Sequence, residues 1–108
     1  MDPVERPDAI CGPLEIPDPA GGDAVLDAIA ATGGGAVATS DEEILEGAVT
    51  LAGAGIPVSG TGGAAVSGAR ALADEGAFAG GETVVLLDPA TANREADILR
   101  SHLMKQGI

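Results

Sequence analysis

Apolar residues recur with helical periodicity in four segments of the chain, and most of these segments carry a recognisable end signal. The first, "GGDAVLDAIAATGGG", has Asp23 as its expected N-cap and stops at three glycines. The second begins at "SDEE", where Ser40 and Glu43 have the spacing of a capping box. The Ala-rich stretch "GTGGAAVSGARALADEG" predicts a third helix, and residues 94–106 predict a fourth.

Short apolar runs separate these helices. Residues 36–39, "AVAT", and 56–59, "IPVS", are brief, whereas 83–87, "TVVLL", is continuous and β-branched at its start, as a buried parallel strand should be. This alternation predicts an α/β fold, with a partial parallel sheet of two to three strands and about four helices. Five prolines make residues 1–22 an extended lead-in, and residues 23–108 form the predicted subdomain.

Composition limits what this chain can bury. Hydrophobic residues make up 45% of its 108 residues, but Phe78 is the single aromatic residue. A core of Ala, Val, Leu and Ile buries little area per side chain, and 17 glycines add backbone entropy that folding must remove. We therefore expect a larger partner protein to complete the domain.

A formal charge of −12 excludes several partners. There is no basic patch for nucleic acid or an anionic membrane, and the spread of acidic residues predicts a solvated acidic surface suited to a salt-rich cytoplasm. Cys11 is the single cysteine, so neither an intrachain disulfide nor a cysteine metal cluster is expected. With no leader or membrane span recognisable, we expect a cytoplasmic protein.

Two turns that lead into helices are candidates for chemistry, because ligands bind beyond the carboxyl ends of strands in α/β sheets. Residues 59–63, "SGTGG", could place backbone amides around a phosphate, although they do not match a dinucleotide fingerprint and a plain turn is favoured. In "DPATAN", residues 88–93, Thr91 and Asn93 are expected to cap the following helix.

The last predicted helix carries the single histidine, His102, and the single lysine, Lys105. A histidine near a helix C-terminus is stabilised by the helix dipole and needs no catalytic explanation. No second histidine or cysteine lies near it, which argues against a metal site. A lysine near the chain end is also a poor candidate for a Schiff base, which needs a desolvated pocket.

Four segments in order resemble the C-terminal portion of threonine synthase, a fold type II pyridoxal-phosphate enzyme: "GGGAVATSDEEILEGAVTLAGAGI", "GAAVSGARALADEGAF", "GETVVLL" and "NREADILRSHLMKQGI". The similarity runs from about Asp8 to Ile108, and the tail is its most specific part, similar to archaeal and halophilic forms. Threonine dehydratases share the architecture, so synthase or dehydratase stays open as the parent reaction.

The resemblance implies the chemistry of the complete family enzyme, a lyase of threonine biosynthesis that converts O-phosphohomoserine to threonine and phosphate. In that enzyme, pyridoxal phosphate forms a Schiff base with a lysine that lies N-terminal to the portion that this chain resembles. A turn hydroxyl binds the cofactor's pyridine nitrogen, and that position falls on Pro89 of this chain, with Thr91 two residues away. The resemblance therefore implies no catalytic residue here, Thr91 as the one candidate cofactor contact, and no cofactor binding by the chain alone.

Three hypotheses follow. The first is that the chain is the C-terminal subdomain of a threonine-synthase-like enzyme, encoded separately or truncated and inactive alone, with a possible partner chain that carries the N-terminal, lysine-bearing part. Alternatively, it is a non-catalytic descendant that keeps the fold to bind a partner. The third hypothesis, a free phosphate-binding module at residues 60–63, rests on spacing alone. A homo-oligomer is compatible with any of them.

Overall fold

The computed structural model describes residues 2–107, and its regular structure in that range is helical. Met1 and Ile108, the outer bounds of the predicted lead-in and subdomain, lie outside the described residues. Four α-helices follow one another along the chain: α1 Gly22–Thr32, α2 Asp41–Gly53, α3 Gly60–Asp74 and α4 Ala96–Lys105. Short 3-10 turns occur at Gly12–Leu14 and Ala92–Arg94. The four helices predicted from the periodicity are therefore present in the described residues, although α4 starts two residues later than expected.

The start of α2 confirms the predicted capping box. The Glu43 N–H donates to Ser40 Oγ at 3.2 Å, and the Ser40 N–H donates to the Glu43 carboxylate at 2.7 Å. The backbone and side-chain hydrogen bonds from Ser40 lower the pKa of Glu43, because they favour its charged form. This helix start is thus encoded by four consecutive residues.

The core lies where α2 packs against α3. Glycines allow a very close approach: a Cβ on Gly47 would lie 2.5 Å from the Gly63 carbonyl oxygen, and a Cβ on Gly63 would overlap the Ile44 carbonyl oxygen. The side chains buried around this contact are small or aliphatic: Cys11, Ile44, Leu45, Ala48, Val58 and Val66. A core of this size is consistent with the composition.

The first helix does not share this core. α1 ends as predicted at glycine, with Gly33 in the left-handed region at φ 68°. However, its N-cap is Gly21, without a side-chain cap, and Asp23 lies in the first turn instead. Its apolar face is largely exposed, with Val25 57% and Leu26 49% accessible.

The predicted parallel sheet is wrong. No strand ladder forms among residues 2–107, where the β-type pairing is a single antiparallel bridge between Val58 and Thr91. Residues 36–39 and 83–87 have no regular secondary structure. Apolar, β-branched sequence favours extended backbone, but a strand also needs a neighbour about 4.8 Å away for its hydrogen bonds. The three apolar runs do not pair with one another in this chain.

As a result, the apolar segment of residues 83–87 is exposed to solvent. In residues 83–87, Val85 is 87% and Leu87 is 78% exposed, and Val84 and Leu86 are also exposed. The division into a lead-in of residues 1–22 and a subdomain of 23–108 stays a prediction. None of the helices within the described range has the length and apolarity needed to cross a bilayer.

Candidate functional site

The turn of residues 88–93 lies beside the N-terminus of α3. Its Thr91 is the N-cap residue of the second 3-10 turn, makes no side-chain cap hydrogen bond, and forms the backbone bridge with Val58. The carbonyl oxygen of the preceding residue, Ala90, accepts a hydrogen bond from the Ser59 N–H at 3.4 Å. The bridge therefore holds this turn against the start of α3, although the two are about thirty residues apart in sequence.

A cavity of about 570 Å³ opens at this junction. Residues from three parts of the chain line it: Pro13, Thr61, Pro89, Ala90, Thr91, Arg94 and Glu95. Thr91 and Arg94 are exposed, whereas Thr61 and Glu95 are buried. The volume lies within the range of small-molecule pockets. Thr91, the predicted cofactor contact, thus lines a cavity, and its role there stays a prediction.

Three amides at the start of α3, those of Thr61, Gly62 and Gly63, are already engaged within the chain. The Thr61 N–H donates to Glu95 Oε2 at 2.7 Å, and the Thr61 hydroxyl donates to Glu95 Oε1 at 2.8 Å. The Gly62 N–H donates to the N-cap side chain of Ser59 at 3.0 Å, and the Gly63 N–H donates to the Ser59 carbonyl at 3.2 Å. A carboxylate of the protein itself therefore lies where an anion would bind a helix N-terminus.

This arrangement argues against the phosphate module at residues 60–63. The Glu95 side chain is 7% exposed and holds both donors of Thr61, so an incoming phosphate would meet a negative charge and occupied amides. The glycines serve close packing instead. A Cβ on Gly60 would lie 2.8 Å from Cys11 Sγ, and one on Gly62 would overlap the Asp88 carboxylate.

Cys11 completes the buried cluster around Glu95. Its side chain is fully buried, and desolvation, followed by the nearby charge of Glu95, raises the pKa of its thiol to about 11. A thiol of this kind is protonated at neutral pH and is a poor nucleophile. Cys11 therefore packs the start of α3 and has no features of a reactive cysteine.

The fourth helix places its two candidate residues differently. His102 is 8% exposed, and its Nε2 has no hydrogen-bond partner among the described residues. Such a buried, unpaired polar atom costs about 1–3 kcal/mol. Lys105 is exposed near the end of α4. No group of three or more metal-ligating side chains occurs in the part of the chain that the structure describes.

The residues of this chain do not by themselves fit pyridoxal phosphate. The one lysine is solvated and not in a desolvated pocket. The helix N-terminus that could receive a phosphate is closed by Glu95, and Pro89 offers the turn neither a hydroxyl nor an N–H. We derive no catalytic step for this chain alone.

Glu95 is the main residue that sequence analysis missed. It precedes a predicted helix and has no motif around it, and its partner Thr61 lies 34 residues earlier in the chain. Ser59 was also missed as an N-cap, although a serine followed by a small-residue helix is a usable signal. Only the tertiary contact between the turn of residues 88–93 and the start of α3 brings Glu95 to its site.

Comparison with known proteins gives the family. A family model described as pyridoxal-phosphate dependent enzyme matches residues 1–89. No curated protein and no solved structure matches significantly. The match covers most of the chain and ends at Pro89, before the tail that carries the resemblance to threonine synthase. On this evidence the chain belongs to the pyridoxal-phosphate-dependent enzyme family.

Proposed function

We propose that this chain is the C-terminal part of a threonine-synthase-like enzyme and acts together with a partner chain that supplies the Schiff-base lysine. The observation that carries the proposal is the uncovered apolar segment of residues 83–87, with Val85 87% and Leu87 78% exposed. Soluble proteins seldom leave such a run open, and an extended segment with free backbone groups is a template for strand pairing. A partner strand would cover both the backbone and the side chains.

The position of Lys105 supports the same proposal. It is the single lysine of the chain, and it is exposed near the end of α4. A family enzyme needs a lysine in a desolvated pocket, so Lys105 does not suit that role and the proposed partner chain would supply the lysine. The tail "NREADILRSHLMKQGI" favours threonine synthase among the family's reactions.

A second function is favoured by the turn of residues 88–93. Pro89 stands where the resemblance expects a hydroxyl, and Glu95 holds the amide of Thr61 at the adjacent helix start. Both features remove contacts that a cofactor would use. They suit a non-catalytic descendant that binds the same kind of partner chain without supplying cofactor contacts.

Co-expression with a candidate lysine-bearing chain, taken from the neighbouring reading frame, tests the pairing. We expect the two chains to elute together in size-exclusion chromatography. The Val85→Asp substitution should abolish this by placing a charge in the strand contact. Val4→Asp is the matched control, because Val4 is exposed at 54% and lies in the lead-in.

The colour and activity of the complex separate the two functions. A yellow complex that releases phosphate from O-phosphohomoserine supports the enzyme, whereas a stable but colourless complex supports the non-catalytic descendant. Chains that elute separately, or equal loss of pairing in both variants, would overturn the proposed docking segment. For the chain alone, a saturable spectral change with pyridoxal phosphate would contradict the fit described above.

A further inference from the structure

The segment of residues 83–87 already has the alternation of a β-strand. From Val84 to Leu87 the exposed fractions are 44, 87, 38 and 78% in order. Exposure therefore rises and falls with a period of two, as it does in a strand whose successive side chains point to opposite faces. Val84 and Leu86 are partly covered by the rest of the chain, whereas Val85 and Leu87 form an open apolar face.

The backbone of this segment is open as well. No backbone hydrogen bond joins residues 83–87 to another part of the described range 2–107. Such bonds occur only beyond its two ends, where the Glu82 N–H donates to the Ala79 carbonyl and the Ser59 N–H donates to the Ala90 carbonyl. An extended segment in this state is a template for pairing with another strand, including that of a second copy of the chain.

An exposed acidic residue stands at each end of the segment, Glu82 before it and Asp88 after it. Local hydrogen bonds hold both carboxylates there. Glu82 Oε1 accepts from the Ala79 N–H at 3.1 Å, and Asp88 Oδ1 accepts from the Ala90 N–H at 3.4 Å. The sequence has no Lys or Arg within residues 71–93, so no neighbour along the chain offsets these two charges.

These acids disfavour pairing between two copies of the chain. In an antiparallel pair centred on Val85, Glu82 of each copy lies opposite Asp88 of the other. In a parallel pair in register, each acid lies beside its own equivalent. Like charges directly opposite one another destabilise a strand pair, and charged residues that flank an exposed apolar strand protect natural proteins from self-association.

We infer that residues 83–87 pair with a strand of the partner chain whose apolar core is flanked at both ends by Lys or Arg. These cations meet Glu82 and Asp88 and reverse the repulsion that opposes self-pairing. Because the acids stand at both ends, the preference is the same for a parallel and for an antiparallel strand. The inference rests on the proposed function for the identity of the partner chain, whereas the charge pattern follows from this chain alone.

Fluorescence anisotropy of two dye-labelled peptides tests the inference on the full-length chain. The peptides share an alternating Thr–Val core, and one has a lysine at each end whereas the other has a glutamate at each end. At low ionic strength we expect the lysine-flanked peptide to bind at least about tenfold more tightly. In about 1 M NaCl, where the screening length is about 3 Å, the difference should fall to about twofold.

Two double substitutions that remove the same charge provide a matched pair. Glu82→Gln with Asp88→Asn should abolish most of the preference for lysine, whereas Asp74→Asn with Glu75→Gln, at the exposed end of α3, should change it less than about twofold. The first variant should also self-associate in size-exclusion chromatography at about tenfold lower concentration than the unsubstituted chain. Glu82→Gln alone leaves the turn beside α3 intact and should lower the preference about threefold.

Two results would overturn the inference. Equal binding of the two peptides would remove the charge preference. An equal loss of preference in both double variants would mean that general attraction to an acidic chain explains the binding. Failure of the proposed function is a different result, in which the candidate lysine-bearing chain elutes separately while the lysine-flanked peptide still binds.

Discussion

Replacement of Glu95 probes the contact that joins the tail to the start of α3. The carboxylate takes the N–H and the hydroxyl of Thr61 at 2.7 and 2.8 Å, and the Glu95 side chain is 7% exposed. Glu95→Ala removes both acceptors and leaves the Thr61 N–H without a partner in a buried site. Glu95→Gln keeps the shape, because the amide can accept from the N–H and donate to the hydroxyl oxygen.

The expected magnitude follows from these two contacts. Hydrogen bonds to a charged group contribute roughly 1.5–3 kcal/mol each, and release of the buried carboxylate to water offsets part of their loss. We therefore expect Glu95→Ala to lower the free energy of unfolding by about 3 kcal/mol. Glu95→Gln loses mainly the attraction between the charge and the helix dipole, so about 1 kcal/mol is expected.

Urea unfolding followed by far-UV circular dichroism measures these changes, since the chain has no Trp or Tyr to serve as a fluorescence probe. With an m-value of about 2 kcal/mol/M, the Glu95→Ala midpoint should fall by about 1.5 M. Glu75→Gln is the control, because Glu75 is exposed at the other end of the same helix, where a negative charge is unfavourable. A Glu95→Ala midpoint equal to that of this control would refute the reasoning.

Three further predictions concern packing, a buried thiol and a helix start. Gly63→Ala should destabilise the fold by several kcal/mol, because the added Cβ would overlap the backbone of α2. The control is Gly68→Ala, whose Cβ would meet Val37 at an ordinary 3.6 Å and which should stabilise the fold by up to about 1 kcal/mol. Equal urea midpoints for the two variants would contradict the close α2–α3 contact. The thiol of Cys11 should react slowly with a disulfide reagent at pH 8 until urea is added, and rapid labelling of the folded chain would show that the thiol is accessible. Its raised pKa should also make the free energy of unfolding fall as the pH rises from about 9 to about 11, because the thiol of the unfolded chain ionises first. Ser40→Ala should lower the free energy of unfolding by about 1 kcal/mol. In the unsubstituted chain helicity should fall as the pH drops through the lowered pKa of Glu43, and this fall should be smaller in Ser40→Ala. An unchanged acid titration of helicity in Ser40→Ala would contradict the role of the capping box.

Local signals in the sequence located the helices well. The capping box at Ser40, the glycine stop at Gly33 and the periodicity of α3 each depend on neighbours within a few residues, and the structure contains all three. The family resemblance also came from consecutive residues, and the family match supports it at the level of pyridoxal-phosphate enzymes. The choice of threonine synthase stays a proposal.

The sequence did not show which distant segments of the chain contact one another. The run of residues 83–87 has the composition of a buried strand, but a strand forms only against a neighbour, and within this chain its side chains remain exposed. In the same way, nothing near Glu95 shows that its carboxylate caps a helix that starts 35 residues earlier.

The sequence by itself determined the approximate positions of the helices, the acidic composition and the kind of family, because these depend on local propensity, capping and composition. The tertiary structure decided that the apolar runs form no sheet within residues 2–107, that Glu95 occupies the start of α3, and that His102 is buried. These features depend on which distant segments meet, and contacts of that range are set by packing of the whole chain and not by any short stretch of it.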